Sequence, residues 1–205
     1  MKTDAELMLE FKGGDASAFD KLVKRHEVGL INYFYRMLWD RASAEDLTQE
    51  VFIKVYTHAQ SYEPRAKFAT YIYRIARNCW IDHLRRGKHR RKDLSLDAET
   101  DDEFSLYDSV TVQADSPIDV ARKHEFVEHL IEAIDSLPEQ QKSCFILSEI
   151  RNMNYSEVAE TLEIPVGTVK SRMHNALKKL RNMLVRTEKL GEEILESQGG
   201  GTEDE

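Results

Sequence analysis

A chain of 205 residues with 41% hydrophobic content can bury one core or two small ones, which excludes a chain disordered throughout. Its formal net charge of -8 would argue against nucleic acid only if the acids were evenly spread. They are not: residues 1–92 carry 18 bases against 12 acids, 93–121 none against 9, 122–186 carry 10 against 9, and 187–205 carry 1 against 7.

Apolar residues recur every three to four positions and only four prolines interrupt them, the pattern of an all-α protein. A first helix is expected over Asp4 to Lys12, stopped by Gly13-Gly14, and a second from about Asp15 to Trp39 through Phe19, Leu22, Val23, Leu30, Ile31, Phe34 and Leu38. Ser43-Ala-Glu-Asp46 reads as the capping-box start of a third helix that buries Leu47, Val51, Phe52 and Val55 and exposes Glu45, Asp46, Gln49 and Glu50. After the loop Ser61 to Lys67, a fourth helix runs from about Phe68 to Gly87. It closes on the basic run Arg85-Arg-Gly-Lys-His-Arg-Arg-Lys92.

A flexible acidic linker is expected at 93–117, where periodicity fails and acids, Ser and Thr accumulate, the acidic stretch running on to 121. A second helical domain, 118–187, then holds one helix to Asp135, another from Pro138 to Ile150, and a helix-turn-helix. There Ser156 is the expected N-cap, Val158, Ala159 and Leu162 an apolar face, and Pro165 and Gly167 the break before the next helix. That helix should bury Val169, Met173, Ala176, Leu177 and Leu180. Between Ile164 and Thr187 it carries Lys170, Arg172, Lys178, Lys179, Arg181 and Arg186 and no acid, a composition suited to phosphates and base edges. Residues 188–205 are expected to form a disordered acidic tail. The chain thus divides into a first domain at 1–92, linker, second domain and tail.

The loop and fourth helix interleave aromatics and bases: Tyr62, Arg65, Lys67, Phe68, Tyr71, Tyr73, Arg74, Arg77, Trp80, Arg85 and Arg86. Exposed aromatics stack on unpaired bases for about 1–3 kcal/mol each while cations follow the backbone, so the mixture suits single-stranded nucleic acid. The alternative is that these rings are core and the bases a solvated face. Phe68, Ile72, Ile75, Ala76 and Leu84 already supply an inner face, and Tyr71, Arg74 and Asn78 share another. Cys79 and His83 stand at i, i+4 with no further ligand nearby, and the two cysteines, Cys79 and Cys144, have no Cys-x-x-Cys spacing. No zinc module, disulfide scaffold or other cofactor is expected. No phosphate loop, carboxylate pair or nucleophile elbow is present, so no catalytic residue is assigned. No signal peptide or membrane span is recognisable, which points to the cytoplasm without membrane insertion.

Asp46-Leu-Thr-Gln-Glu-Val-Phe-Ile-Lys-Val-Tyr56, Lys67 to Asn78 and Asp82-His-Leu-Arg-Arg86 resemble region 2 of sigma factors. Ser136-Leu-Pro-Glu139, Tyr155 to Glu160 and Ile164 to Arg172 resemble region 4 of the short extracytoplasmic-function group. The resemblance covers about 4–90 and 118–185, and the order of its motifs is itself specific. It implies a protein that binds core RNA polymerase, reads promoter DNA and melts it for initiation. Asp46, Gln49, Glu50 and Phe52 would dock on the clamp helices of the largest subunit, and region 4 on the flap of the second largest. Tyr62, Arg65, Lys67, Phe68, Tyr71, Arg74 and Asn78 would capture the melted minus-10 strand, with Arg85, Arg86, Arg90 and Arg91 towards upstream duplex phosphates. Thr168, Lys170, Ser171, Arg172 and Asn175 would read the minus-35 element, with Lys178 and Lys179 on phosphates. An anti-sigma factor is an implied partner.

Two positions depart from the family pattern. Glu163 stands where the turn commonly has Gly, so a left-handed backbone there costs about 1 kcal/mol, and Asn175 stands where many relatives carry a base. Promoter elements two helical turns apart lie about 70 Å from each other. The residues from 93 to 121 reach about 100 Å extended but average about 30 Å as a free coil, so something must hold the domains apart. In the family the polymerase does this with the linker in its channels, where the acids would mimic nucleic acid; on composition a plain solvated spacer fits equally. The competing reading is a free-standing helix-turn-helix regulator acting without polymerase, which predicts tight duplex binding by the protein alone.

Overall fold

A computed structural model describes residues 1–90 and 128–199, with side chains at 1–86 and 128–185. Every regular element among the described residues is helical. The expected linker at 93–117 and residues 200–205 lie outside them. Among the described residues, packing separates two compact units, 1–90 with 146–169 and 128–145 with 170–199. This division differs from one drawn at the linker, because 146–169 packs with the N-terminal helices.

The first unit begins with α1 (Asp4–Lys12). Thr3 caps it through a capping box with Glu6, whose carboxylate accepts the Thr3 N–H at 2.6 Å. Gly14, at φ 105°, turns the chain into α2 (Ala16–Leu38), capped by Asp15. A charge clasp joins the two helices: Asp4 accepts from Arg25 at 2.6 Å and faces His26 Nε2 at 2.8 Å. Burial alone would raise the Asp4 pKa, but these two partners outweigh it and hold the carboxyl below its ordinary value. α2 buries Leu22, Leu30, Tyr33 and Phe34 against its neighbours, ends in left-handed Trp39, and packs on α3 (Arg41–Thr57), which in turn packs on α4 (Phe68–Arg90).

Three sequence expectations are corrected in this unit. α3 starts at Arg41 and not Ser43, because Asp40 is itself a capping acid and accepts the Ser43 N–H at 3.2 Å. Phe52 is half-buried, standing edge-on to Phe19 with ring centroids 6.3 Å apart. α4 passes through Gly87 to Arg90, since the surrounding Arg and Lys residues are good helix formers that offset one glycine.

The second piece of this unit opens with a widened turn over Ile146–Ile150, where the Arg151 N–H reaches the Ile146 carbonyl five residues back at 3.0 Å. The expected helix Pro138 to Ile150 is therefore two elements: α6 (Glu139–Phe145) and this turn. α7 (Tyr155–Leu162) is capped by Asn154 with Glu157, not by Ser156, because the Asn154 side-chain oxygen accepts the N–H groups of both Ser156 and Glu157 at 3.0 Å. Its end is a Schellman turn: Ile164 N–H bonds to Ala159 O at 3.0 Å, and Glu163 is left-handed at φ 54°, ψ 46°. The conformation expected of Glu163 is the one it adopts. Glu163→Gly should therefore raise the unfolding free energy by up to about 1 kcal/mol in a denaturant melt. The exposed Arg77 ion pair it gives up contributes little.

In the second unit, α5 (described at 128–135) and α6 join the 170–199 part of α8 (Val166–Gly199). Ala133, Ile134, Leu137, Ala176 and Leu180 form the core, flanked by Leu130, Phe145 and Met183. Lys142 is buried and pairs with Asp135 at 2.6 Å. Leu177, expected inside, is 48% exposed, because the buried stripe runs 173, 176, 180 and leaves 177 at its rim. The backbone from 188 to 199 is helical where a disordered tail was expected. Leu190, Ile194 and Leu195 recur at helical spacing among glutamates, which extends the α8 pattern.

Candidate nucleic-acid and partner interfaces

The loop between the turn Ala59–Ser61 and α4 is pinned from below by aromatic rings. Tyr62 is 3% exposed, its ring 5.0 Å from Tyr71 and 6.1 Å from Phe68, and Phe68 stands 5.2 Å from His26. Phe68, Tyr73 and Trp80 are also buried, so for these rings the core alternative holds; Tyr71 alone of the α4 aromatics stays half-exposed. Burial pushes the Tyr62 and Tyr71 hydroxyls up, which keeps both neutral and available as donors. Ile75 and Leu84 are half-buried at the edge of the inner face.

Over this floor lies a cavity of about 360 Å³ lined by Ser61, Tyr62, Glu63, Arg65, Ala66, Thr70, Tyr71, Arg74 and Glu160. Arg65 is exposed and pairs with Glu63 at 2.5 Å. Lys67, also exposed, pairs with Glu157 at 2.5 Å. Arg74 is half-buried in the wall, and Asn78 is exposed one turn beyond, its carbonyl 3.4 Å from Arg77 Nη1. Of the expected strand contacts, Tyr62, Arg65, Tyr71 and Arg74 come together in this cavity, whose walls also carry Glu63 and Glu160, whereas Lys67, Phe68 and Asn78 do not line it. Arg85 and Arg86 lie outside it, Arg85 beside Asp82 at 3.7 Å and Arg86 on Glu50 at 3.0 Å. The side chains of Arg90 and Arg91 lie outside the described residues.

On α3, Asp46 and Gln49 are exposed, while Glu50 pairs with both Lys54 and Arg86 at 3.0 Å. Burial would raise the Glu50 pKa, but the two cations outweigh it and keep the carboxyl ionised. Ile53 and Tyr56, 61% and 57% exposed, extend the face. Asp46, Gln49, Ile53 and Tyr56 are spaced by three, four and three residues and form one stripe, a spacing readable in the sequence although the sequence reading gives Ile53 and Tyr56 no role.

Along α8, Lys170, Ser171, Asn175 and Lys178 are exposed and Thr168 is half-buried. Arg172 is half-buried and donates to Gln140 at 2.7 Å. Lys179 is engaged within the chain by the Ser136 carbonyl, where the positive charge meets the C-terminal end of α5. Lys178 remains the exposed member of that pair. Cys79 and His83 gain no third ligand: among the described residues no group of three His, Cys, Asp or Glu residues can hold a metal. The His83 ring instead stacks on Trp80 at 5.7 Å. No helix among the described residues is long and apolar enough to cross a membrane.

Comparison with known proteins places both regions. The family profile of Sigma-70 region 2 matches residues 22–90, and that of Sigma-70 region 4 matches 128–180. The chain is 34% identical to the ECF RNA polymerase sigma factor SigW of Bacillus subtilis, over 85% of this chain and 93% of that protein. It is 32% identical to the RNA polymerase sigma-H factor of Pseudomonas aeruginosa, over 84% and 89%. Two solved structures share the fold at 20% identity. CnrH in complex with the cytosolic domain of CnrY aligns with a TM-score of 0.65 over 90% of this chain and 99% of that one. RpoE in complex with the anti-sigma factor NepR from Bartonella quintana aligns at 0.64 over 81% and 96%. Two regions matched in order, and relatives aligned over nearly their whole length, settle the family: the chain belongs to the extracytoplasmic-function group of the sigma-70 family of RNA polymerase sigma factors.

Proposed function

We propose that this sigma factor binds core RNA polymerase through the α3 stripe, captures the melted minus-10 strand in the cavity beside α4, and reads the minus-35 element with the exposed face of α8. The observation that carries this reading is the cavity itself, where a buried aromatic floor meets Arg65, Arg74 and the neighbouring Asn78. Tyr71, the ring left half-exposed, offers stacking, Arg65 and Arg74 supply cations without sequence preference, and Asn78 adds a donor and an acceptor for a base edge. Residues 1–92 act as the minus-10 and polymerase-binding domain and 118–187 as the minus-35 domain, joined by the acidic linker at 93–117. The docking partner of α3 is the clamp of the largest subunit and that of region 4 the flap of the second largest. An anti-sigma factor is a further partner, and the protein works in the cytoplasm. It contributes no catalytic residue; phosphodiester chemistry belongs to the polymerase.

Reconstitution tests this. With core polymerase and a promoter template the protein should support specific initiation. Ile53→Asp, a charge placed on an already exposed side chain, should weaken core binding by about tenfold or more with no change in melting temperature. Tight duplex binding by the protein alone, unaltered by core, would favour the free-standing regulator instead.

A further inference from the structure

The cavity has an acidic side that the proposed function does not use. Glu157, Glu160 and Glu163 follow each other at three-residue steps along α7 and its terminal turn, on one face of the helix. Each meets the basic surface of the loop and α4: Glu157 pairs with Lys67 at 2.5 Å, Glu163 with Arg77 at 3.1 Å, and Glu160 lines the same cavity as Arg74. We propose that this acidic edge is an internal nucleic-acid mimic, which covers the strand-binding surface of the free chain and must leave before DNA can enter.

A second contact supports the placement. Arg151, projected by the widened turn at Ile146–Ile150, sets its guanidinium 5.2 Å from the Tyr73 ring centre, a cation–π distance. It also lies against Gly29 on α2, where a Cβ would come within 2.6 Å of Nη2. Only glycine leaves that slot open. The contact is built to release: Lys67 and Glu163 are 75% and 58% exposed, so their ion pairs are weak and screened by salt. Buried Arg36 stands near enough to Arg151 to repel it, its pKa lowered first by burial and then by that neighbour. Glu157 loses its part in the contact only in acid, because Lys67 first and the Asn154 N–H second hold its carboxyl below the ordinary value. The inference rests on the minus-10 reading of the cavity, since it gives the acids something to exclude.

Zero-length carbodiimide coupling of the intact protein, followed by peptide mass spectrometry, tests it. The free protein should yield a Lys67–Glu157 amide cross-link, and saturation with core polymerase should abolish it. Gly29→Ala should cut the yield severalfold, because the new methyl displaces the guanidinium tip. The same change should leave the melting temperature unchanged or raised, since alanine suits a helix interior better than glycine. Freed from the closed state, this variant should also bind core about two- to tenfold more tightly. The inference is overturned if the free wild-type protein gives no such cross-link, if Gly29→Ala and Arg151→Ala leave the yield unchanged, or if the cross-link persists in an active holoenzyme. A cross-linked free protein that never binds core would instead sink the promoter reading and leave the contact standing.

Discussion

Asn78→Ala is expected to slow promoter opening by about 5- to 150-fold, the equivalent of 1–3 kcal/mol for a paired base edge, while leaving the affinity for core polymerase unchanged. Asn78 is exposed on α4, one turn beyond Arg74, and supports no buried contact, so its removal should not disturb the helix. Its carbonyl is already turned towards Arg77 at 3.4 Å, which leaves the amide N–H groups free to meet a base. Stopped-flow fluorescence of a labelled promoter measures the opening step, and core affinity is measured separately by competition. An equal loss in both would assign Asn78 a structural role and move the strand contact to Arg74 and Tyr71.

Leu180→Ala should cost about 2–5 kcal/mol in the second unit, a large share of what a unit of this size has. Leu180 is 5% exposed in a core that otherwise consists of Ala133, Ile134, Leu137 and Ala176, so little remains to close over the cavity. Loss of this core releases α8 from α5 and with it the fixed direction of Lys170, Ser171 and Asn175. Circular dichroism should show an early partial melt. Transcription dependent on the minus-35 element should fall at temperatures where polymerase binding through α3 persists. A single cooperative melt at the wild-type temperature would contradict the account.

The elements most legible in the sequence are those whose boundaries carry one unambiguous signal. Gly13-Gly14 followed by Asp15 fixes the α1–α2 junction, and the apolar spacing of α2 and α4 is strong enough to place both helices. Where two capping residues compete within three positions the choice is set by geometry invisible in the sequence: Asp40 prevails over Ser43, and Asn154 over Ser156. Burial of the aromatics was harder to read, because Tyr62, Phe68 and Tyr73 gain their surroundings from α2 and the preceding loop rather than from their own helix. Glu163 was legible in the opposite sense, as a residue at odds with the turn it occupies, and the backbone carries that conflict at φ 54°. The pairs Lys67–Glu157 and Arg77–Glu163 join residues 90 and 86 positions apart and leave no local trace.

The widened turn at Ile146–Ile150 makes this part of the chain sensitive to length rather than to side-chain identity. Each helical residue advances the chain by about 100° and 1.5 Å, so losing any one of those five would swing Arg151 a quarter-turn or more about the axis and withdraw it from Tyr73 and Gly29. Substitutions that keep Ile146 and Leu147 apolar should be absorbed, whereas a one-codon deletion would re-aim Arg151 whichever residue is lost.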